Sequence, residues 1–231
     1  MSVSTHPGTE TLLRYAAGTL PAGPRLLVDV HLDGCPECRA AVRRFTAVGG
    51  ALLDASEPLA LAPDALDRML ARLDGPPARR NPGLLHHAEA AGAMPQKRHP
   101  LPEGLKLPPG VVLPPAIASR RIGRMVPVSP GVRLGLVHLE EDPDAQVLLF
   151  RIAPGRAIPQ HTHAGLEFTH VICGGFSDPN GHYGPGDLVE CDADIDHSPR
   201  VDDDGECICL AAFDGRIRFR GLLGMVTRPF L

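Results

Sequence analysis

GRAIPQHTHAGLEFTHVICG, residues 155–174, spaces a glycine, two histidines, a glutamate and a second glycine as G-x5-H-x-H-x3-E-x6-G. On a strand, side chains two apart share a face, so His161 and His163 point the same way. Ala164-Gly165 supplies a turn, after which Glu167 returns to the same site. Imidazoles with one carboxylate suit an open site for a divalent metal. Burying the three together without a metal would leave polar groups to satisfy. Around this stretch the chain runs in short segments rich in branched and apolar residues: VRLGLVHL (132–139), QVLLFRIA (146–153), LEFTHVI (166–172), ECICLAAF (206–213) and RIRFR (216–220). Gly, Pro and Asp turns separate them, including SDPNG (177–181) and YGPGD (183–187). Such grammar predicts a β-sandwich or barrel over residues 118–231.

A second constellation stands near the N-terminus. HLDGCPEC (31–38) places His31, Cys35 and Cys38 as H-x3-C-x2-C. Cys35-Pro36 opens a helix, and a helix N-terminus favours the thiolate that a metal needs. His31 lies one helical turn earlier, across Asp33-Gly34. A closed structural zinc site wants a fourth ligand. His6 is the candidate, because no other His or Cys precedes residue 86. A redox pair is the rival reading of a C-x2-C.

Residues 1–75 read as helical. Leu12, Leu13, Tyr15 and Ala16 form a short amphipathic segment that stops at Gly18. Pro24 suits a first turn and leads through Leu26, Leu27 and Val30 to His31. The third segment carries Val42, Phe45 and Val48 before Gly49-Gly50. The fourth begins at Pro63 and sets Leu66, Met69, Leu70 and Leu73 at i, i+3, i+4 and i+7. A helix that short needs a surface to lie on, in this chain or in a partner. Prolines then crowd GPPARRNPG (75–83), HPLPEG (99–104) and LPPGVVLPP (107–115). Missing amide donors and fixed φ make residues 76–117 a linker by expectation, with one short helix near 84–91.

Composition removes several function classes. Net charge is −4, which lends no electrostatic support to nucleic-acid binding. Aromatics are 4% and Trp is absent, arguing against a base-stacking groove. No apolar run approaches a membrane span, and the N-terminus lacks the pattern of a secretion signal. A cytoplasmic, reducing setting follows, where six cysteines read as ligands, reactive thiols or core residues rather than a disulfide framework.

The run through His6, TLLRYAAGTL (11–20) and HLDGCPECRAAV (31–42) resembles the zinc-binding anti-sigma domain, a small helical bundle. The 155–174 stretch matches the first signature of the cupins at each signature position. The second cupin signature is looser: Gly184-Pro185-Gly186 gives its turn, but the next histidine is His197 in DADIDHSP. His197 is the choice for the fourth ligand of that site, with His182 and Glu190 as rivals.

The two units together resemble the ChrR-type anti-sigma factors. That resemblance implies an N-terminal all-α, zinc-stabilised helical bundle (1–75), a Pro-rich linker (76–117) and a C-terminal all-β cupin barrel of jelly-roll form (118–231). It implies Zn2+ on His6, His31, Cys35 and Cys38. A second Zn2+, or Fe, Mn or Ni, would sit on His161, His163, Glu167 and His197. The partner implied is an alternative sigma factor of the extracytoplasmic-function group, bound by the first unit and released when the second responds to singlet oxygen or a related oxidant. No catalytic residue is implied. The rival function is a metal-dependent, dioxygenase-like cupin enzyme carrying an N-terminal zinc module.

Other residues have plainer readings. Cys207 and Cys209 would share a face of their strand, badly placed for a mutual disulfide, and suit the core or stepwise oxidation. Cys173 and Cys191 read as core or surface. His170, at odd spacing from Glu167, falls on the opposite face. His86, His87 and His99 read as solvated, and Asp202-Asp203-Asp204 as a polar turn.

Overall fold

The computed structural model describes residues 3–73, 98–158, 161–163, 165–192, 198–214 and 217–219, without the side chains of 161–163 and 217–219. Among the described residues the helices are α1 (Thr9–Ala16), α2 (Ala22–Gly34), α3 (Pro36–Asp54), α4 (Ala65–Leu73) and α5 (Pro115–Ala118). The strands are β1 (Val126–Ser129), β2 (Val132–Leu136), β3 (Val147–Ile152), β4 (His161–His163), β5 (Glu167–Cys173), β6 (Phe176–Asp178), β7 (Gly181–Tyr183), β8 (Leu188–Cys191), β9 (Arg200–Val201), β10 (Cys207–Phe213) and β11 (Ile217–Phe219).

Local chemistry accounts for the helical unit. In α1, Leu12 and Tyr15 lie on one buried face, and the Tyr15 hydroxyl donates to Asp29 of α2 at 2.5 Å. α2 is apolar nearly all round, with Leu26, Leu27, Val28 and Val30 buried, as a helix covered on several sides must be. α3 takes Cys35 as N-cap and Pro36 in its first turn. It does not stop at Gly49-Gly50, as the sequence reading expects, but runs to Asp54. A glycine pair weakens a helix by roughly 1 kcal/mol per residue and need not end one. α4 has no buried residue, so α1–α3 pack together while α4 takes no part in a four-helix core.

Six strands form an antiparallel sheet in the order β1-β2-β3-β10-β5-β8. β10 is buried at every position, because the sheet is covered on both sides. Its residues divide by alternation. Cys207, Cys209, Ala211 and Phe213 face an inner core with Leu148, Phe150 and Val171. Ile208, Leu210 and Ala212 face an outer core with Val147, Leu149 and Phe168. The β7-β6-β9 sheet closes over the inner face, contributing Phe176, Tyr183 and Val201. β4 pairs with β11. Among the described residues these sheets do not join into a closed barrel, so the fold is two packed sheets plus a separate ribbon rather than the complete jelly-roll expected. The signature glycine Gly174 has φ +70°, and a Cβ there would sit 2.2 Å from the Glu206 carbonyl oxygen. Only glycine lets β5 turn so close to β10.

The two units share the outer core. Leu12, Leu27 and Val42 belong to the same buried cluster as Val147, Leu149 and Leu210. A Cβ on Gly23 of α2 would touch Val147 Cγ2 at 3.3 Å and Ala212 Cβ at 3.4 Å. The expected linker also needs correction over 98–117. Leu105, Leu113 and Ile117 are buried in that core, and Pro115–Ala118 forms α5. His99 N–H donates to the Ala118 carbonyl at 2.8 Å, and Met125 N–H to the Glu103 carbonyl at 3.0 Å. Prolines make poor helix and sheet, but their fixed φ suits an irregular strap whose apolar side chains are covered. His99 itself is exposed, whereas His86, His87 and the helix expected near 84–91 lie outside the described residues.

Ile117 is fully buried, so Ile117→Ala is expected to cost about 2–5 kcal/mol in urea unfolding. A side chain on a free linker would move stability by less than about 0.5 kcal/mol. That smaller value would remove the strap from the core.

Candidate metal centre and apolar face

His6, His31, Cys35 and Cys38 converge, with one donor atom from each lying within 4.8 Å of the others. Cys35 Sγ and Cys38 Sγ each stand 3.4 Å from His6 Nδ1, and His31 Nε2 is 3.3 Å from Cys38 Sγ. A tetrahedral zinc with ordinary Zn–S and Zn–N bonds separates sulfur from nitrogen by about 3.6 Å. The four donors therefore already stand near the edges of such a tetrahedron.

Each donor is placed by its own element. Cys35 caps α3, its sulfur accepting from the Cys38 amide at 3.4 Å, so Cys38 falls one turn later on the same side. His31 ends the buried stripe of α2. Arg39 donates to the Leu32 and Asp33 carbonyls, which satisfies the end of α2 beside the cluster. His6 rides on the segment before α1, and its Nε2 lies 3.6 Å from Glu37 Oε2. His31 Nδ1 donates to the Gly186 carbonyl at 3.0 Å, which fixes the tautomer with Nε2 free to ligate.

Burial reverses the electrostatic expectation for Cys38. The helix N-terminus favours thiolate, yet desolvation, with Cys35 adding to it, pushes Cys38 up to about 12. Burial also lowers His31, although its bond to Gly186 opposes this. The Cys38 thiol and the His31 imidazole are thus ill suited to carry charge alone. A divalent cation reverses that balance by holding thiolates directly and releasing their protons.

The downstream constellation is described in part. Glu167 opens β5 and is buried, with Thr169 Oγ1 donating to its Oε1 at 3.4 Å. Its register partners are Cys191 and Phe213. Burial, with the Glu167 carboxylate next in effect, pushes the Cys191 thiol up to about 12. Cys209 is raised well above the usual thiol range by its hydrogen bond to Cys207 and then by burial. His161 and His163 lie in β4, whose backbone pairs with β11, and their side chains fall outside the description. His197 lies outside the described residues. Both rivals for its place have other contacts: His182 pairs with Asp202 at 2.8 Å, and Glu190 accepts from the Gly8 amide at 2.9 Å.

His170 does fall on the face opposite Glu167, where its ring meets the His31 ring edge-on with centroids 6.2 Å apart. It is 5% exposed, and burial lowers it to about 4. No local pattern pointed to this contact, nor to the part played by Gly186, because α2 reaches them only through the tertiary fold.

An apolar face remains open. Leu66, Met69, Leu70 and Leu73 of α4 are 50–74% exposed. Leu52 and Leu53 at the end of α3, and Leu59 and Leu61 between the helices, are exposed as well. Eight large apolar side chains exposed within residues 52–73 suit an interaction site.

Comparison with known proteins places these features. Residues 121–214 match the ChrR cupin-like domain family, and residues 9–39 match a zinc-finger family. The anti-sigma-E factor ChrR of Cereibacter sphaeroides is 34% identical over 232 residues, covering 100% of this chain and 99% of that protein. The crystal structure of Rhodobacter sphaeroides SigE in complex with the anti-sigma ChrR superposes at TM-score 0.65 with 32% identity, covering 92% of this chain and 100% of that one. An RmlC-like cupin protein of Ralstonia eutropha gives TM-score 0.38 at 17% identity, over 45% of this chain and 69% of its own.

Proposed function

The chain belongs to the ChrR family of anti-sigma factors, and from this we propose that it sequesters an alternative sigma factor of the extracytoplasmic-function group. It is a regulator rather than an enzyme. The observation that carries the reading is the exposed apolar face of α4 in a chain that also assembles a four-donor metal cluster. Zinc on His6, His31, Cys35 and Cys38 ties the N-terminal segment, α2 and α3 together and supplies a cross-link rather than chemistry. An amphipathic helix whose apolar side chains are exposed fits a groove in a partner. Leu66, Met69, Leu70 and Leu73 would enter the sigma factor and cover a surface that core polymerase needs. Residues 1–75 are the inhibitory unit in this reading, and residues 118–231 the unit that responds.

The responding unit would hold a second metal, Zn2+ or else Fe, Mn or Ni, on His161, His163, Glu167 and His197. Glu167 opens β5 with its carboxylate buried, as a ligand of an enclosed site would be, and this supports that assignment. Singlet oxygen or a related oxidant acting there would weaken the complex and free the sigma factor. The site of action is the cytoplasm, where sigma factors meet polymerase. No helix among the described residues is long and apolar enough to cross a membrane.

Transcription by core polymerase with each extracytoplasmic-function sigma factor of the source organism tests the reading. The chain is expected to silence one of them stoichiometrically. Glu167→Gln is expected to silence it equally and to lose release under photosensitised singlet oxygen. Failure to inhibit any such sigma factor, with oxygen consumed by the metal-loaded chain, would move the function to an enzyme.

A further inference from the structure

The geometry points to Asp187 as a positioning residue of the N-terminal zinc site: the Gly184–Asp187 turn of the sheet unit holds both histidine ligands in place. This deepens the reading above and rests on its zinc assignment. Asp187 is 3% exposed. Its Oδ1 accepts from the amides of Ser4 at 2.7 Å and Thr5 at 2.8 Å. Its Oδ2 accepts from the Ser4 hydroxyl at 2.9 Å and the Gly184 amide at 2.8 Å. A buried carboxylate is costly unless such donors surround it. Here they prevail: burial raises the group, but the amides of Gly184, Thr5 and Ser4 hold it below its ordinary range.

The N-terminal segment follows this turn closely. Leu188 N–H donates to the Thr5 carbonyl at 3.2 Å, and Gly8 N–H to Glu190 at 2.9 Å. Gly186 has φ +95°, and a Cβ there would come within 3.0 Å of Val3 Cγ2. His6 sits between these anchors, ahead of α1, where no helix of its own holds it. Asp187 fixes the residues immediately before His6, and Glu190 fixes Gly8 just after it. The adjacent Gly186 carbonyl orients His31. Both imidazole ligands are therefore set from one turn of the sheet unit, while α3 sets both thiols. From the same turn β8 continues into register with β5, ending with Cys191 opposite Glu167. The responding unit thus has a direct structural route to the zinc ligands.

The test uses the full chain loaded with zinc and reads metal transfer to a chromophoric chelator. Supporting partners of a metal ligand are worth about 10–100-fold in affinity. Asp187→Ala is expected to lose zinc more readily by that factor, to shift the d–d bands of the cobalt-substituted chain, and to speed amide exchange over residues 3–8. Ser4→Pro removes the Ser4 amide donor and hydroxyl without touching the turn, and is expected to do the same if Asp187→Ala fails to fold. Asp203→Ala, at an exposed ion pair with Arg200, is the control and is expected to match the wild type. Wild-type zinc retention and an unchanged cobalt spectrum in Ser4→Pro and in folded Asp187→Ala would overturn the assignment. A wild-type chain that binds no zinc would instead overturn the zinc reading, and this inference with it.

Discussion

Replacing Cys35 and Cys38 together by serine is expected to abolish zinc binding in the N-terminal unit and reduce sigma-factor binding by more than about 100-fold. Binding of a structural zinc is worth about 10–16 kcal/mol in zinc-finger peptides. That is of the same order as the whole stability of an ordinary domain, about 5–15 kcal/mol. The cysteines are 1% and 2% exposed, so the serine hydroxyls would be left buried and without their cation. Three segments would lose their common tie: the residues around His6, the end of α2 and the start of α3. α2 keeps its packing on the sheet, where Gly23 lies against Val147 and Ala212, so loss of order should be confined to the N-terminal segment, α1 and α3. Circular dichroism should show helix lost and sheet retained. Undiminished sigma binding by the zinc-free double variant would defeat the account of zinc as the element that organises the inhibitory unit.

Truncating α4 should produce the opposite combination of effects. Leu66→Ala with Leu73→Ala is expected to weaken sigma binding about 100- to 1,000-fold while changing stability by less than about 0.5 kcal/mol. Central apolar anchors of an interface are worth about 2 kcal/mol or more each, and 1.4 kcal/mol is a factor of ten. In the free chain these leucines are 66% and 74% exposed, so their removal leaves no cavity. Alanine also preserves the helix, since it is the best helix former. Titration calorimetry with the sigma factor and urea unfolding of the free chain separate the two quantities. A fall of several kcal/mol in stability, with affinity intact, would show that α4 packs on its own chain and is no docking helix.

These two experiments probe features that were legible in very different ways. The apolar spacing of α4 was plain, but periodicity alone could not say whether the stripe met the rest of the chain or a partner. The structure leaves it uncovered. The strands β3 and β10 were legible because their apolar runs are dense and branched. The short strands β1, β6, β7, β8 and β9 were not, being two to four residues of mixed polarity whose pairing comes from distant neighbours. Proline content predicts a linker over 76–117 because it reports missing amide donors. It does not report where Leu105, Leu113 and Ile117 go.

Spacing along the chain was enough to relate His31, Cys35 and Cys38, since residues three and four apart meet across one helical turn. It was enough to separate Glu167 from His170, since strand faces alternate. Both relations follow from local backbone geometry. The seat of His6 does not: its segment is held by Asp187 and Glu190, some 180 residues away, through bonds that no local period encodes. The same holds for the Gly186 carbonyl on His31 and for the core common to α2 and the sheet. Short-range chemistry chose the candidate ligands and the strands, and long-range packing decided that the four-donor cluster is built against the sheet unit.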